Sequence, residues 1–172
     1  MEIHIRPIEP DDAEAFGALM VALDSETQFM LFEPGERQVT AQQWRERIEA
    51  MKAEGESEVF IAEAATDAGR ELVGFLRAHG QSLRRIRHSL YLVIGIRAAY
   101  TGRGFGGQLF AVMEAWARQR AIHRLHLTVM THNERAIKLY KKLGFVIEGR
   151  HAHAIWLNGA YVAEYTMAKL LE

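Results

Sequence analysis

Cysteine is absent from all 172 residues. Disulfides, thiolate zinc sites and a cysteine nucleophile are thereby excluded. Net charge is also missing: 21 basic against 22 acidic side chains leave a formal charge of -1, which gives no electrostatic basis for holding nucleic acid or an anionic membrane. No apolar run approaches a membrane span. The opening Met1-Glu2-Ile3-His4-Ile5-Arg6 lacks the basic-then-apolar order of a signal peptide, so a cytoplasmic location is expected. Proline is scarce, with three in the chain, and no repeat, linker or low-complexity segment divides it. One domain over 1–172 is the expectation; 49% hydrophobic and 25% charged residues are ordinary for a globular protein.

What is abundant is glycine, and it is concentrated. An apolar run over 90–96 is followed by Thr101-Gly102-Arg103-Gly104-Phe105-Gly106-Gly107 and then by an amphipathic segment reaching Arg120. This reads as strand, turn and helix. Four glycines remove the Cβ atoms that would hold a ligand away from the backbone N–H groups. Those groups, with the positive end of the helix dipole, make a site for an anion such as phosphate or pyrophosphate. Gly106-Gly107-Gln108 does not supply the Gly-Lys-Ser/Thr ending of a Walker A loop. Gly102, Gly104 and Gly107 match the dinucleotide spacing G-x-G-x-x-G, which also requires an acid at the end of the next strand. That strand, 124–130, ends in Met130-Thr131.

A third phosphate loop fits better. Thr101-Gly102-Arg103-Gly104-Phe105-Gly106 resembles the acetyl-CoA loop of the GNAT N-acetyltransferase superfamily, Arg/Gln-x-x-Gly-x-Gly/Ala. Thr101 departs from its first position, with Arg103 a nearby source of charge. A second stretch, Asn133-Glu134-Arg135-Ala136-Ile137-Lys138-Leu139-Tyr140-Lys141-Lys142-Leu143-Gly144-Phe145, closely matches the family run N-x-x-A-x-x-L-Y-x-K-x-G-F. The resemblance covers the chain from about Leu72 onward. Before that, only the layout matches.

Taken in order, Ile3, Ile5 and Ile8 alternate as a first strand that Pro10 ends. Asp11 with Glu14 predicts a capping box and a helix to about Leu23; Thr40 with Gln43 predicts another, opening a helix over 41–54. The loop between them carries Asp24, Glu26, Glu33 and Glu36, acids able to attract an amine or simply solvated. Strands over 58–65 and 71–79 flank Thr66-Asp67-Ala68-Gly69 and predict a hairpin. The central strand, the glycine helix and a strand at 124–130 follow. A helix capped by Asn133 runs to Gly144, and Asn158-Gly159 joins the last two strands, about 145–157 and 161–169. This order gives an α/β sheet of mixed direction. The resemblance implies more: a mostly antiparallel seven-stranded sheet with about four helices, its central strands splayed.

The resemblance also implies a chemistry. An acetyl-CoA-dependent N-acetyltransferase moves the acetyl group directly to a primary amine, without an acyl-enzyme. Gly102, Arg103, Gly104, Phe105, Gly106 and Gly107 would hold the pyrophosphate of acetyl-CoA, and the exposed edge around Ile94 and Ile96 would pair with the pantetheine arm as another strand would. Asn133 and Ala136 belong to the second donor motif. Tyr140 matches the family's general acid, which protonates the leaving thiolate. The central strand carries no acid, so the general base stays open among His88, Tyr91, Glu26 and a water chain; His88 is attractive because imidazole titrates near neutrality. No metal is expected: His151 and His153 share a strand face without a third ligand.

Arg84, Arg85 and Arg87, with Asn158-Gly159 and Tyr161-Val162-Ala163-Glu164-Tyr165-Thr166-Met167, resemble the bacterial amino-acid N-acetyltransferase branch. A free amino acid would place its carboxylate on one of those arginines. The expected partner is thus a small-molecule amine, with a homodimer common in the family. A protein or peptide acceptor, a non-catalytic CoA-binding sensor and a nicotinamide oxidoreductase are the rival readings; Tyr140 argues against the second, and the missing acid after Met130 against the third.

Overall fold

In the computed structural model, residues 3–67 and 69–172 are described. Met1, Glu2 and Ala68 of the predicted hairpin turn lie outside them. Seven strands form one sheet in the order β1-β2-β3-β4-β5-β7-β6. They are β1 (Ile3–Pro7), β2 (Glu58–Thr66), β3 (Gly69–His79), β4 (Ser89–Ile96), β5 (Arg124–Met130), β6 (Val146–Leu157) and β7 (Ala160–Leu170). Every neighbouring pair is antiparallel except β4 with β5. The helices are α1 (Ala13–Glu26), α2 (Ala41–Glu54), α3 (Phe105–Gln119) and α4 (Glu134–Lys142).

Both faces of the sheet are covered, so β2 is buried on both sides. Phe60, Ala62 and Ala64 join one core with Leu109, Phe110, Met113 and Phe145. Val59 and Ile61 face the other, with Phe16, Leu19, Leu23 and Ile48 of α1 and α2. Between Leu72 and Gly74, β3 carries a bulge opposite Ala62 and Glu63. One extra residue reverses the alternation beyond it: Leu72 and Phe75 pack on the α1–α2 face while Val73 and Leu76 pack on the α3–α4 face. Arg77 and His79 therefore point to the α1–α2 side.

Local signals explain most boundaries. Thr40 accepts the Gln43 N–H at 3.2 Å and Gln43 returns the bond to the Thr40 N–H at 2.9 Å, the reciprocal box predicted for α2. At α1 the predicted Asp11–Glu14 box does not form. The Asp12 carboxylate accepts the Glu9 N–H at 2.7 Å, and Asp11 pairs with Arg45. α1 also runs one turn past Leu23, because Glu26 is held by Arg97 and by the Ala98 N–H, a tertiary contact without a local sequence signal. Asp24 lies inside that extra turn and forms a buried ion pair with Arg37, pinning the following loop.

Candidate active site

The parallel pair at the sheet centre is short. β4 and β5 are paired only at Ser89, Leu90 and Tyr91 with Arg124, Leu125 and His126. Beyond these the strands separate, leaving the β5-facing edge of β4 from Leu92 to Ile96 without a strand partner. Tyr91 bridges the start of the gap, its hydroxyl 2.9 Å from Thr128 Oγ1. A cavity of about 1170 Å³ passes through this opening and reaches both faces of the sheet.

On the α3–α4 side the cavity is lined by Ile94, Ile96, Gly102, Gly104, Phe105, Gly106, Gly107, Asn133, Ala136 and Tyr140. α2 and α4 have side-chain caps, whereas α3 has none. Its first intrahelical bond is Gln108 N–H to the Gly104 carbonyl, so the preceding N–H groups face the cavity without helical acceptors. Gly104 takes φ +83°, where a side chain would be strained. Gly106 serves packing instead: a Cβ there would stand 2.9 Å from Leu139 Cδ2. Gly107 has no atom within 4 Å of its would-be Cβ, and it lies open to the cavity.

Tyr140 is 6% exposed. Its ring packs edge-on against Phe110, centroids 5.9 Å apart, and lies 6.0 Å from Phe145. Burial, reinforced by the nearby Tyr91, raises its pKa well above the ordinary tyrosine value. The hydroxyl thus stays protonated at neutral pH, the form a proton donor needs.

A model of the acetyltransferase (GNAT) family matches residues 20–145. The chain belongs to the GNAT acetyltransferase family. L-amino acid N-acetyltransferase AaaT of Escherichia coli K12 is 35% identical over 104 residues, covering 58% of this chain and 62% of that protein. The uncharacterized N-acetyltransferase YycN of Bacillus subtilis 168 is 32% identical over 76 residues, 44% of this chain and 49% of that one. The chain thus spans less than two thirds of these relatives' length. The crystal structure of a GNAT acetyltransferase from Streptococcus pneumoniae superposes with TM-score 0.91 at 29% identity, covering 99% of this chain and all of that one. The seven-stranded fold with its opened centre is a GNAT fold.

Within this GNAT domain, the site residues expected from sequence line the one cavity, with two exceptions. Arg103 is exposed, its guanidinium 5.9 Å from the Tyr100 ring centroid, and it does not line the cavity. Arg135 does, with Nη2 3.5 Å from the would-be Cβ of Gly102. Its position in the second motif, two residues after Asn133, was the available signal. His88 is the second exception. It lies on an exposed turn at the closed end of the β4–β5 pair, where its carbonyl accepts the His123 and Arg124 N–H groups. The gap opens at the other end of the strand, so His88 is removed as a base. Asn133 lines the cavity while capping α4 through the Ala136 N–H at 3.3 Å, so the cap and the site coincide.

Glu26 lines the cavity, but against the cost of its burial the Ala98 N–H and Arg97 hold it ionised, below the usual glutamate range. It is a tether between α1 and β4. Arg84, Arg85 and Arg87 are exposed on the turn with His88 and do not line the cavity. His151 Nε2 lies 2.7 Å from Thr166 Oγ1, and His153 stacks on Tyr161. The residues missed as cavity groups are Arg47, Arg77 and Glu164. Glu164 sits opposite Met130 at the open end of β5 and has no cation partner among the described residues.

Proposed function

We propose that this chain is an acetyl-CoA-dependent N-acetyltransferase acting on the primary amine of a small molecule. The reading rests on the opened β4–β5 pair, where one cavity lined by Tyr140 joins the uncapped glycine end of α3 to the α1–α2 side of the sheet. Membership of the GNAT family supports acetyl-CoA as donor, and a fold relative from Salmonella typhimurium, TM-score 0.84 at 18% identity, is described with acetyl-CoA as its cofactor.

The chain's residues divide the work. The N–H groups at 104–107 and Arg135 hold the donor phosphates. The free edge of β4 at Ile94 and Ile96 hydrogen-bonds the amide-bearing arm and fixes the thioester beside Tyr140. The amine nitrogen attacks the thioester carbonyl carbon, and the carbon–sulfur bond breaks. Tyr140 gives its hydroxyl proton to the departing sulfur. Glu164 takes the amine's proton, directly or through water, as the lining carboxylate beside the gap that carries no ion pair. Among the named relatives, AaaT is an L-amino acid N-acetyltransferase and a 40-residue match at 45% identity is a spermidine N(1)-acetyltransferase of Escherichia coli K12. An amino acid is the preferred acceptor.

CoA release from acetyl-CoA against free amino acids, polyamines, aminoglycosides and short peptides tests this. Release with a small amine is expected. Release with peptides alone would establish the protein-acceptor reading, and acetyl-CoA binding with no release from any class would establish the sensor.

A further inference from the structure

The acceptor half of the cavity holds a cation pair for which the donor chemistry has no use. Arg77 of β3 and Arg47 of α2 both line it, and neither has a carboxylate at ion-pairing distance among the described residues. The other lining charges on this side are accounted for differently. Arg37 is committed to Asp24 at 2.6 Å, and Glu26 to Arg97 at 2.7 Å. Glu54 lies at the end of α2, where its field reaches His79. Both side chains are exposed at the cavity wall, and the charge bearing on Arg77 is Arg47, of the same sign. A wall that carries charges of one sign draws a counter-ion.

The placement fits a short acceptor. Arg77 is paired with Val93 of β4, two residues from the Tyr91 that bridges the gap. Neighbouring strands and next-but-one residues put the backbone positions of Arg77 and Tyr91 roughly 7–8 Å apart, so Arg77 rises from a strand position beside the passage. Arg47 is supported by Trp44, its guanidinium carbon 5.4 Å from the ring centroid. Around the pair the wall is apolar, with Phe16, Met20, Met30 and Met51. We infer that Arg77 and Arg47 form a carboxylate subsite, so that the acceptor is an amino acid whose carboxylate they hold and whose apolar side chain packs among these residues. A polyamine would bring cations to this wall and be repelled. The inference rests on the acetyltransferase reading above.

The test compares apolar amino acids with their decarboxylated amines, methionine with 3-(methylthio)propylamine and phenylalanine with phenethylamine. In the wild-type protein kcat/KM is expected to favour the acid by about 10- to 100-fold, the range of a charge-assisted hydrogen bond. Arg77→Gln should erase that ratio mainly through KM, and Arg77→Lys should restore part of it. Equal use of acid and amine, or a ratio unchanged in Arg77→Gln, overturns the subsite while leaving the transferase intact. If no compound releases CoA, calorimetric titration of the same acids into protein with CoA decides. Binding lost in Arg77→Gln upholds the subsite although the acetyltransferase reading fails, and absence of binding to the wild type overturns it.

Discussion

The two halves of the cavity are built by different means. The α3–α4 half, which we propose holds the donor, uses backbone: an uncapped helix end, a bare strand edge and glycines whose missing Cβ atoms leave room. The acceptor half uses side chains brought from α1, α2, β3 and the loop pinned by Asp24–Arg37. A backbone cradle needs glycines at fixed spacing and so leaves a pattern in the sequence. A side-chain wall can be drawn from anywhere the fold allows, and leaves none. The donor is therefore legible where the acceptor is not.

Loss of the Tyr140 hydroxyl should produce the largest effect. Tyr140→Phe keeps the ring packing against Phe110 and Phe145, and turnover should fall by about 10²–10⁴-fold with little change in acetyl-CoA affinity. Steady-state kinetics beside a binding titration read the two apart, and unchanged turnover would remove Tyr140 from the mechanism.

The acceptor half should break through its loop. Asp24→Asn leaves Arg37 unpaired with its side chain 8% exposed, which should cost about 3–5 kcal/mol of stability. Thermal unfolding checks the cost, and in the folded fraction the KM for the amine should rise more than that for acetyl-CoA. Equal changes in both would mean that the halves are not separable.

Glu164→Gln sharpens the proton path. Turnover should drop by ~10²-fold with acetyl-CoA affinity unchanged, since the amide cannot take a proton. Unchanged turnover would move the base elsewhere.

The smallest effect lies outside both halves. Arg6 donates to Asp12 at 2.8 Å and to Glu63 at 2.6 Å. Its hydrogen bond outweighs burial and holds the Asp12 carboxyl below the usual aspartate range. A lowered folded pKa means stability that is present above the unfolded value and lost as pH falls through the folded one. Asp12→Asn should cost about 1 kcal/mol at neutral pH and make stability fall less steeply as pH drops through and below the ordinary aspartate range. Denaturant melts across that window measure it.

Much of the fold was readable because local chemistry and tertiary context agree. Asn158 and Gly159 take φ of 49° and 83°, the left-handed pair their identities favour in a two-residue hairpin. Thr40 and Gln43 form the box their spacing predicts. Arg77 was hidden by the bulge at Val73, since simple alternation from Leu72 places it on the opposite face. The cluster Arg84, Arg85 and Arg87 drew attention by density, yet it occupies an exposed turn. His88 was attractive for its titration range, and only the direction in which β4 and β5 part shows it to be at the wrong end.

The division of labour itself is most directly tested by calorimetric titration of acetyl-CoA into two variants. Gly107→Val should fold, since no atom stands within 4 Å of the added Cβ, yet lose acetyl-CoA affinity by ~10-fold or more as the side chain enters the donor space. Arg77→Gln should bind acetyl-CoA as the wild type does. Wild-type affinity in Gly107→Val, or a comparable loss in Arg77→Gln, would contradict a backbone-built donor half separate from a side-chain-built acceptor half.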